Sequence, residues 1–167
     1  MLYGLYTSSQ LPMGHVIRHA SWSFYSHCAI TDGNYVWEAR APMGVHRMPH
    51  DEWMEKYGHD LREINGNYPK LPIFVKDEAK VIQWMDDQRG ARYDFGELVG
   101  HIIHVNLGRG DRFTCSSFFI EALVQDSPYM EHDEYYRMAP RNVRQAQVSF
   151  NNGVNFALRN PVQAVQR

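Results

Sequence analysis

Residues 23–40 read SFYSHCAITDGNYVWEAR, two aromatic and β-branched runs on either side of Asp32-Gly33. Both turn positions tolerate positive φ, so the stretch predicts a β-hairpin. Side chains alternate between faces along a strand, and a turn centred on Asp32 and Gly33 sets His27 opposite Glu38, with their Cβ atoms about 5 Å apart. Moving the turn one residue on, to Gly33-Asn34, makes the two diagonal neighbours on the same face. Only a three-residue loop reverses the parity. A carboxylate beside an imidazole fixes its tautomer and supports its charged form, the orienting role in a triad of nucleophile, base and orienter.

A base needs a nucleophile, and the chain has two cysteines, Cys28 and Cys115. Cys28 follows His27 directly, so strand alternation turns it to the opposite face, where it reads as a small buried hydrophobe. Cys115 sits in FTCSS, residues 113–117, and runs into FFIEAL. That pattern opens a helix, where unpaired amides and the macrodipole favour a thiolate and can receive an oxyanion. Chemistry therefore casts Cys115 as nucleophile, His27 as base and Glu38 as orienter, provided hairpin and helix meet. Spacing alone does not bring residues 27 and 115 together, and a thiol at a helix start also serves as packing.

The rest of the chain supplies the frame. At 167 residues with 44% apolar and 22% charged side chains, it predicts one domain over 1–167, able to bury roughly two thirds of its unfolded surface without disulfides. A net charge of −2 offers no electrostatic case for nucleic acid. LYGLYT predicts a first strand, MGHVIRHA a short helix, VHRMP a strand and HDEWMEKYG a helix with an acidic first turn. NGNYPKLP reads as loop by its Gly, Asn and Pro content. Residues 76–89 predict a helix with Gly90 at its C-cap, FGELVGHIIHV another, NLGRGDR a loop, and QVSFNNGVNFAL a terminal hairpin around Asn152-Gly153. The N-terminus lacks the apolar run of a secretory signal and nothing later approaches a membrane span. The expected setting is cytoplasmic, or phage-borne and delivered to a host cytoplasm, with no integral membrane contact.

The order YSHCAITDGNYVWEA, then GARYDFGELVG, then FTCSSFFIEAL resembles the circularly permuted papain-like hydrolases: the YiiX-type branch of the NlpC-like superfamily, with lecithin:retinol acyltransferase as a relative. LPMGHVIRHASWSFYSH, GVHRMPHDEW and RMAPRNV extend the similarity to roughly residues 1–145. The resemblance implies an α+β, permuted papain-like fold, an antiparallel sheet carrying the histidine packed against a helix carrying the cysteine. It implies roles for Cys115, His27 and Glu38 as above, with Tyr93 and Ser116 on the oxyanion and substrate side. A glutamate in third place, where the acyltransferases have a second histidine, puts the chain nearer the YiiX-type branch. Asp94 reads as a helix N-cap rather than a catalyst. Two departures stand out: Ser117 where many relatives carry an acidic residue, and residues 146–167, read here as an added terminal hairpin, which have no counterpart.

Other chemistry is less well served. His15 with His19, and His101 with His104, have helical spacing but no third ligand, so neither a metal nor any other cofactor is expected. GRGDR reads as a plain turn rather than a phosphate cradle, and Trp22, Trp37, Trp53 and Trp84 as core or cleft lining. The expectation is thus a thiol hydrolase working through an acyl-enzyme on an amide, ester or thioester. Its substrate would be a small peptide, as in a cell-wall amidase or endopeptidase, or a lipid or other acylated molecule. The alternative is a catalytically silent papain-like protein with a binding or virion structural role.

Overall fold

The computed structural model describes residues 1–8, 12–21, 24–61, 70–103, 107–108, 110–126, 143–144 and 147–148. Five strands make one antiparallel sheet: β1 Leu2–Thr7, β2 His27–Thr31, β3 Tyr35–Arg40, β4 Gly44–Pro49 and β5 Lys70–Ile73, in the spatial order β4-β3-β2-β1-β5. Helix α1 spans Pro12–Ser21 between β1 and β2; α2, His50–Tyr57, follows β4 and ends in a 3-10 turn at Gly58–Asp60. Then come α3 Glu78–Asp87, β6 Arg92–Tyr93, α4 Phe95–Ile103, β7 Arg112–Phe113 and α5 Cys115–Val124. The chain is mixed α+β. Among the described residues no helix is long and apolar enough to cross a membrane.

The hairpin forms, but its turn lies one residue beyond Asp32-Gly33, so His27 does not stand directly opposite Glu38. Ile30 lies opposite Trp37 and Thr31 opposite Val36, so Gly33 and Asn34 are the central residues and His27 and Glu38 are diagonal neighbours. Local chemistry selects this register. Asp32 Oδ1 accepts from the Asn34 and Tyr35 amides, each at 2.7 Å, and Thr31 Oγ1 accepts from Gly33 N at 2.9 Å. With Asp32 bonding the chain ahead of it, the positive φ falls on Gly33, at +97°, which a Cβ would strain.

Alternation along these strands sorts the core into two layers. Leu2, Tyr6, Cys28, Ile30, Trp37 and Ala39 face the buried side chains Phe118, Phe119, Ile120, Ala122 and Leu123 of α5. Leu5, Ala29 and Val36 point the other way, onto Trp53 of α2 and Leu61. A helix therefore covers each side of the sheet, and every central strand is buried on both faces.

Three expectations need correction. The segment ending in KLP is not all loop: Lys70–Ile73 pairs with β1, Tyr3 lying opposite Pro72. β5 is the edge strand, where a proline without an N–H can sit. Helix α3 ends at Asp87 with Gln88 as its C-cap, and Gly90, at φ +89°, closes the turn beyond rather than capping the helix. Of the expected terminal hairpin only Gln147 and Val148 are described, and they are helical; its other residues lie outside the described ones.

A contact at the far end of β4 places the next part of the site. Val45 N donates to Ala91 O at 2.8 Å and Gly90 N to Val45 O at 2.9 Å. Gly44, at φ +79°, makes this approach feasible, since a Cβ there would lie 2.1 Å from Ala91 O. The strand after Ala91 is thereby docked beside the sheet, and β6 pairs in parallel with β7, Tyr93 opposite Phe113. Because Phe113 stands two residues before Cys115, this short pairing carries Tyr93 to the start of α5.

Candidate active site

Cys115 is the first residue of α5, and its helix start is held by several hydrogen bonds. Thr114 is the N-cap: its Oγ1 accepts from Ser117 N at 3.2 Å, and Ser117 Oγ accepts in return from Thr114 N at 2.9 Å. This is a capping box with serine in the usual Glu or Gln position. The missing carboxylate comes from α4, where Glu97, nearly buried, accepts from Thr114 Oγ1 at 3.0 Å and from Ser117 Oγ at 2.8 Å. Ser117, the departure from the resembled pattern, is thus met by an acid from another helix. Asp94 caps α4, its Oδ1 accepting from Glu97 N at 2.9 Å.

The first turn of α5 meets the beginning of β2. Cys28 Sγ lies 3.3 Å from the Cys115 carbonyl oxygen, and the Cys115 thiol is near enough to the His27 ring for each to shift the other's protonation. His27 and Cys115 are each more than nine-tenths buried. On its other side His27 Nε2 is 2.6 Å from Glu38 Oε2. An ionised carboxylate only accepts, so Nε2 carries the proton and Nδ1 is left as the nitrogen free to take one from sulfur. The structure therefore brings Cys115, His27 and Glu38 together in that order.

Glu38 is completely buried and held from three residues. Arg40 Nε donates to Oε1 at 2.8 Å and Arg40 Nη2 to Oε2 at 3.0 Å. His46 Nε2 stands 3.2 Å from Oε1, close but not aligned as a hydrogen bond. The Arg40 guanidinium is covered by the Tyr57 ring, 3.8 Å from its centroid, a cation–π contact. Burial by itself drives a carboxyl upward, but His27, His46 and Arg40 outweigh it and hold Glu38 well below the usual range. For His27, burial and Arg40 pull down while Glu38 and Cys115 pull up, and the balance lies above the ordinary histidine value. Cys115 is pulled well below the usual thiol value, first by hydrogen bonding from the Cys28 side chain and then by His27, against the opposing effect of burial. An imidazolium beside a thiolate is the state these interactions favour.

Tyr93 is buried beside Cys115, its ring edge-on to Phe95 with centroids 5.1 Å apart. Burial, Cys115 and Glu97 raise its pKa well above the ordinary phenol value, so at neutral pH it is a hydroxyl donor. Ser116 is buried, with Oγ 4.0 Å from Cys115 Sγ.

Cys28 requires a revision. Parity turns it away from His27, but the face to which it turns is the one α5 covers. It is buried as expected, yet it touches the nucleophile candidate instead of being a bystander. Sequence reasoning also passed over Arg40, His46 and Glu97. Arg40 had a signal, lying two residues beyond Glu38 on the same strand face. His46 had a weaker one, since the tight connection between β3 and β4 sets it opposite Glu38. Glu97 had none, because only packing brings α4 against the cap of α5.

Among the described residues no group of three or more His, Cys, Asp or Glu side chains converges to hold a metal ion. His15 Nδ1 receives Arg18 Nη2 at 2.8 Å; the side chain of His101 and all of His104 lie outside the described residues. No protein-family model matches the chain, and no curated protein matches it either.

Proposed function

We propose that this chain is a thiol hydrolase or acyltransferase of permuted papain-like fold that works through an acyl-enzyme on Cys115. One observation carries the reading: an imidazole bonded through Nε2, at 2.6 Å, to a fully buried carboxylate lies beside a buried thiol at the first position of a capped helix and lowers its pKa. Cys115 thiolate attacks an acyl carbonyl, and the C–S bond forms as His27 passes its Nδ1 proton to the leaving amine, alcohol or thiol. The developing oxyanion is received at the start of α5, by the Cys115 amide and the Tyr93 hydroxyl. Water or another acceptor then adds to the thioester, giving its proton to Nδ1, and the C–S bond breaks. Glu38, held ionised, keeps the ring oriented and does not itself take the proton. The substrate is a small peptide or an acylated molecule, and the setting is cytoplasmic or phage-borne.

The test is the pH profile of Cys115 alkylation by iodoacetamide, followed with p-nitrophenyl acetate as a generic acyl donor. The expected result is alkylation with an inflection well below the ordinary thiol range, acetylation located on Cys115 by mass spectrometry, and loss of turnover in His27→Ala and Cys115→Ser. A catalytically silent binding or virion structural protein would instead show a slow thiol titrating at the usual value and no acetyl-enzyme. That result would reject the enzyme reading.

A further inference from the structure

In the proposed reaction Glu38 orients His27, and Glu38 is in turn held by its own contacts. Two of its contacts come from one side chain, Arg40, whose guanidinium bonds the carboxylate directly and feels the charge of the Cys115 sulfur beyond it. Nε and Nη2 take one carboxylate oxygen each, a fork geometry a planar guanidinium supplies and an ammonium does not. The Tyr57 ring closes over the guanidinium from α2, so the cation is fixed from both sides. Glu38 and Arg40 lie on β3 and share a face, and their bonds therefore cost no rearrangement of the strand.

We propose that Arg40 is a positioning residue for the acyl-transfer reaction, its guanidinium holding both oxygens of Glu38 so that the carboxylate in turn holds the His27 ring with Nδ1 toward Cys115. The inference rests on the thiol-hydrolase reading. A second effect follows from charge. The groups that act on His27 are Glu38 and Arg40 from β3 and Cys115 from α5; His46 of β4 stands against Glu38, Cys28 of β2 and Tyr93 of β6 lie by Cys115, and Tyr57 of α2 covers Arg40. Of these Arg40 is the fixed cation, and it opposes the pull of Glu38 and Cys115 on the imidazole. Without it His27 would hold its proton to higher pH and serve as a general base over a narrower range. Arg40 thus keeps the orienting carboxylate in place while moderating what that carboxylate does to the base.

Hydrolysis of the acetyl-Cys115 formed with p-nitrophenyl acetate separates the two effects, since that step adds water to the thioester, moves the water's proton to His27 Nδ1 and breaks the C–S bond. Arg40→Gln removes cation and fork together: deacylation is expected to slow by about tenfold or more, and its pH profile to move to higher pH. Arg40→Lys keeps the cation: the profile returns to its wild-type position while the plateau stays low. Near-UV circular dichroism establishes that each variant is folded, and if Arg40→Gln does not fold, Arg40→Lys alone decides the positioning role. A wild-type plateau in folded Arg40→Lys, or a wild-type pH profile in folded Arg40→Gln, overturns the proposal. If wild-type protein forms no acetyl-Cys115 at all, the enzyme reading fails instead. In that case His27 is titrated by NMR in Cys115→Ser and Cys115→Ser/Arg40→Gln, and an unmoved His27 titration overturns the charge effect on its own.

Discussion

Glu38→Gln is the most informative single change, because it is nearly isosteric and strikes a group with no access to solvent. The carboxylate accepts three hydrogen bonds, from His27 Nε2 at 2.6 Å, Arg40 Nε at 2.8 Å and Arg40 Nη2 at 3.0 Å, and has His46 against Oε1. An amide keeps one acceptor oxygen and turns two N–H donors toward groups that also donate. If the NH2 replaces Oε2, the His27 bond and one Arg40 bond are lost; if it replaces Oε1, the other Arg40 bond is lost and His46 faces a donor. At about 1.5–3 kcal/mol for each hydrogen bond to a charged group, one or two lost bonds cost roughly 1.5–6 kcal/mol. The guanidinium, left buried without its counter-charge, argues for the upper part of that range, since breaking a buried ion pair costs about 3–5 kcal/mol. For a chain of this size about 3–5 kcal/mol corresponds to a fall of roughly 6–20 °C in Tm. Urea unfolding at pH 7 measures the free energy and calorimetry the midpoint. In folded Glu38→Gln the His27 ring loses the partner that raised its pKa, so the Cys115 alkylation profile should lose its low inflection. A stability loss under about 0.5 kcal/mol, within the range of an ordinary surface substitution, would refute the picture of a fully committed carboxylate.

Stability should fall on both sides of neutrality. Glu38 is depressed in the fold, so its contribution is present above the ordinary glutamate range and is lost as pH falls through its folded value. His27 is raised, so its contribution is complete below the ordinary histidine value and is lost as pH rises through its folded one. Urea midpoints across pH check both limbs, and Glu38→Gln should abolish the acid limb. Cys28→Ala should shift the Cys115 alkylation inflection upward while costing only about 1 kcal/mol of stability, which comparison of labelling rates with unfolding curves resolves. Thr114→Ala removes the cap of α5 and one hydroxyl from Glu97, for an expected loss of about 0.5–2 kcal/mol. Alkylation of Cys115 should slow in this variant even under conditions where the protein is fully folded.

The hairpin shows what a local pattern can carry. Alternation places His27 and Glu38 on one face whichever two residues form the turn, and the resolved register, with Gly33-Asn34 central, is the second of the two. The choice between them lies in Asp32 and Thr31, whose side chains bond the turn amides ahead of them. That is sequence information, though weaker than the Asp-Gly pair beside it. β5 hides from the local pattern for the opposite reason: Pro72 argues against an interior strand, and only its place at the sheet edge makes it acceptable.

What the sequence determined by itself is what short-range stereochemistry controls: two strands with a tight turn, a base and a carboxylate of one parity, Arg40 on the same side, and a thiol opening a helix. What the tertiary structure decided is which distant groups share that small volume. Parity could turn Cys28 away from His27 but could not say that α5 covers the face it turns to, and so brings it against Cys115. Nothing near Ser117 announces Glu97, which arrives on another helix to complete the cap. Nor does anything near Tyr93 announce Cys115, until β6 pairs with β7 beside the start of α5. Periodicity is written along the chain, whereas charge compensation in a buried site depends on packing between elements far apart in it. A carboxyl, a thiol, an imidazole and a guanidinium can share this interior only because the fold supplies each with its partner.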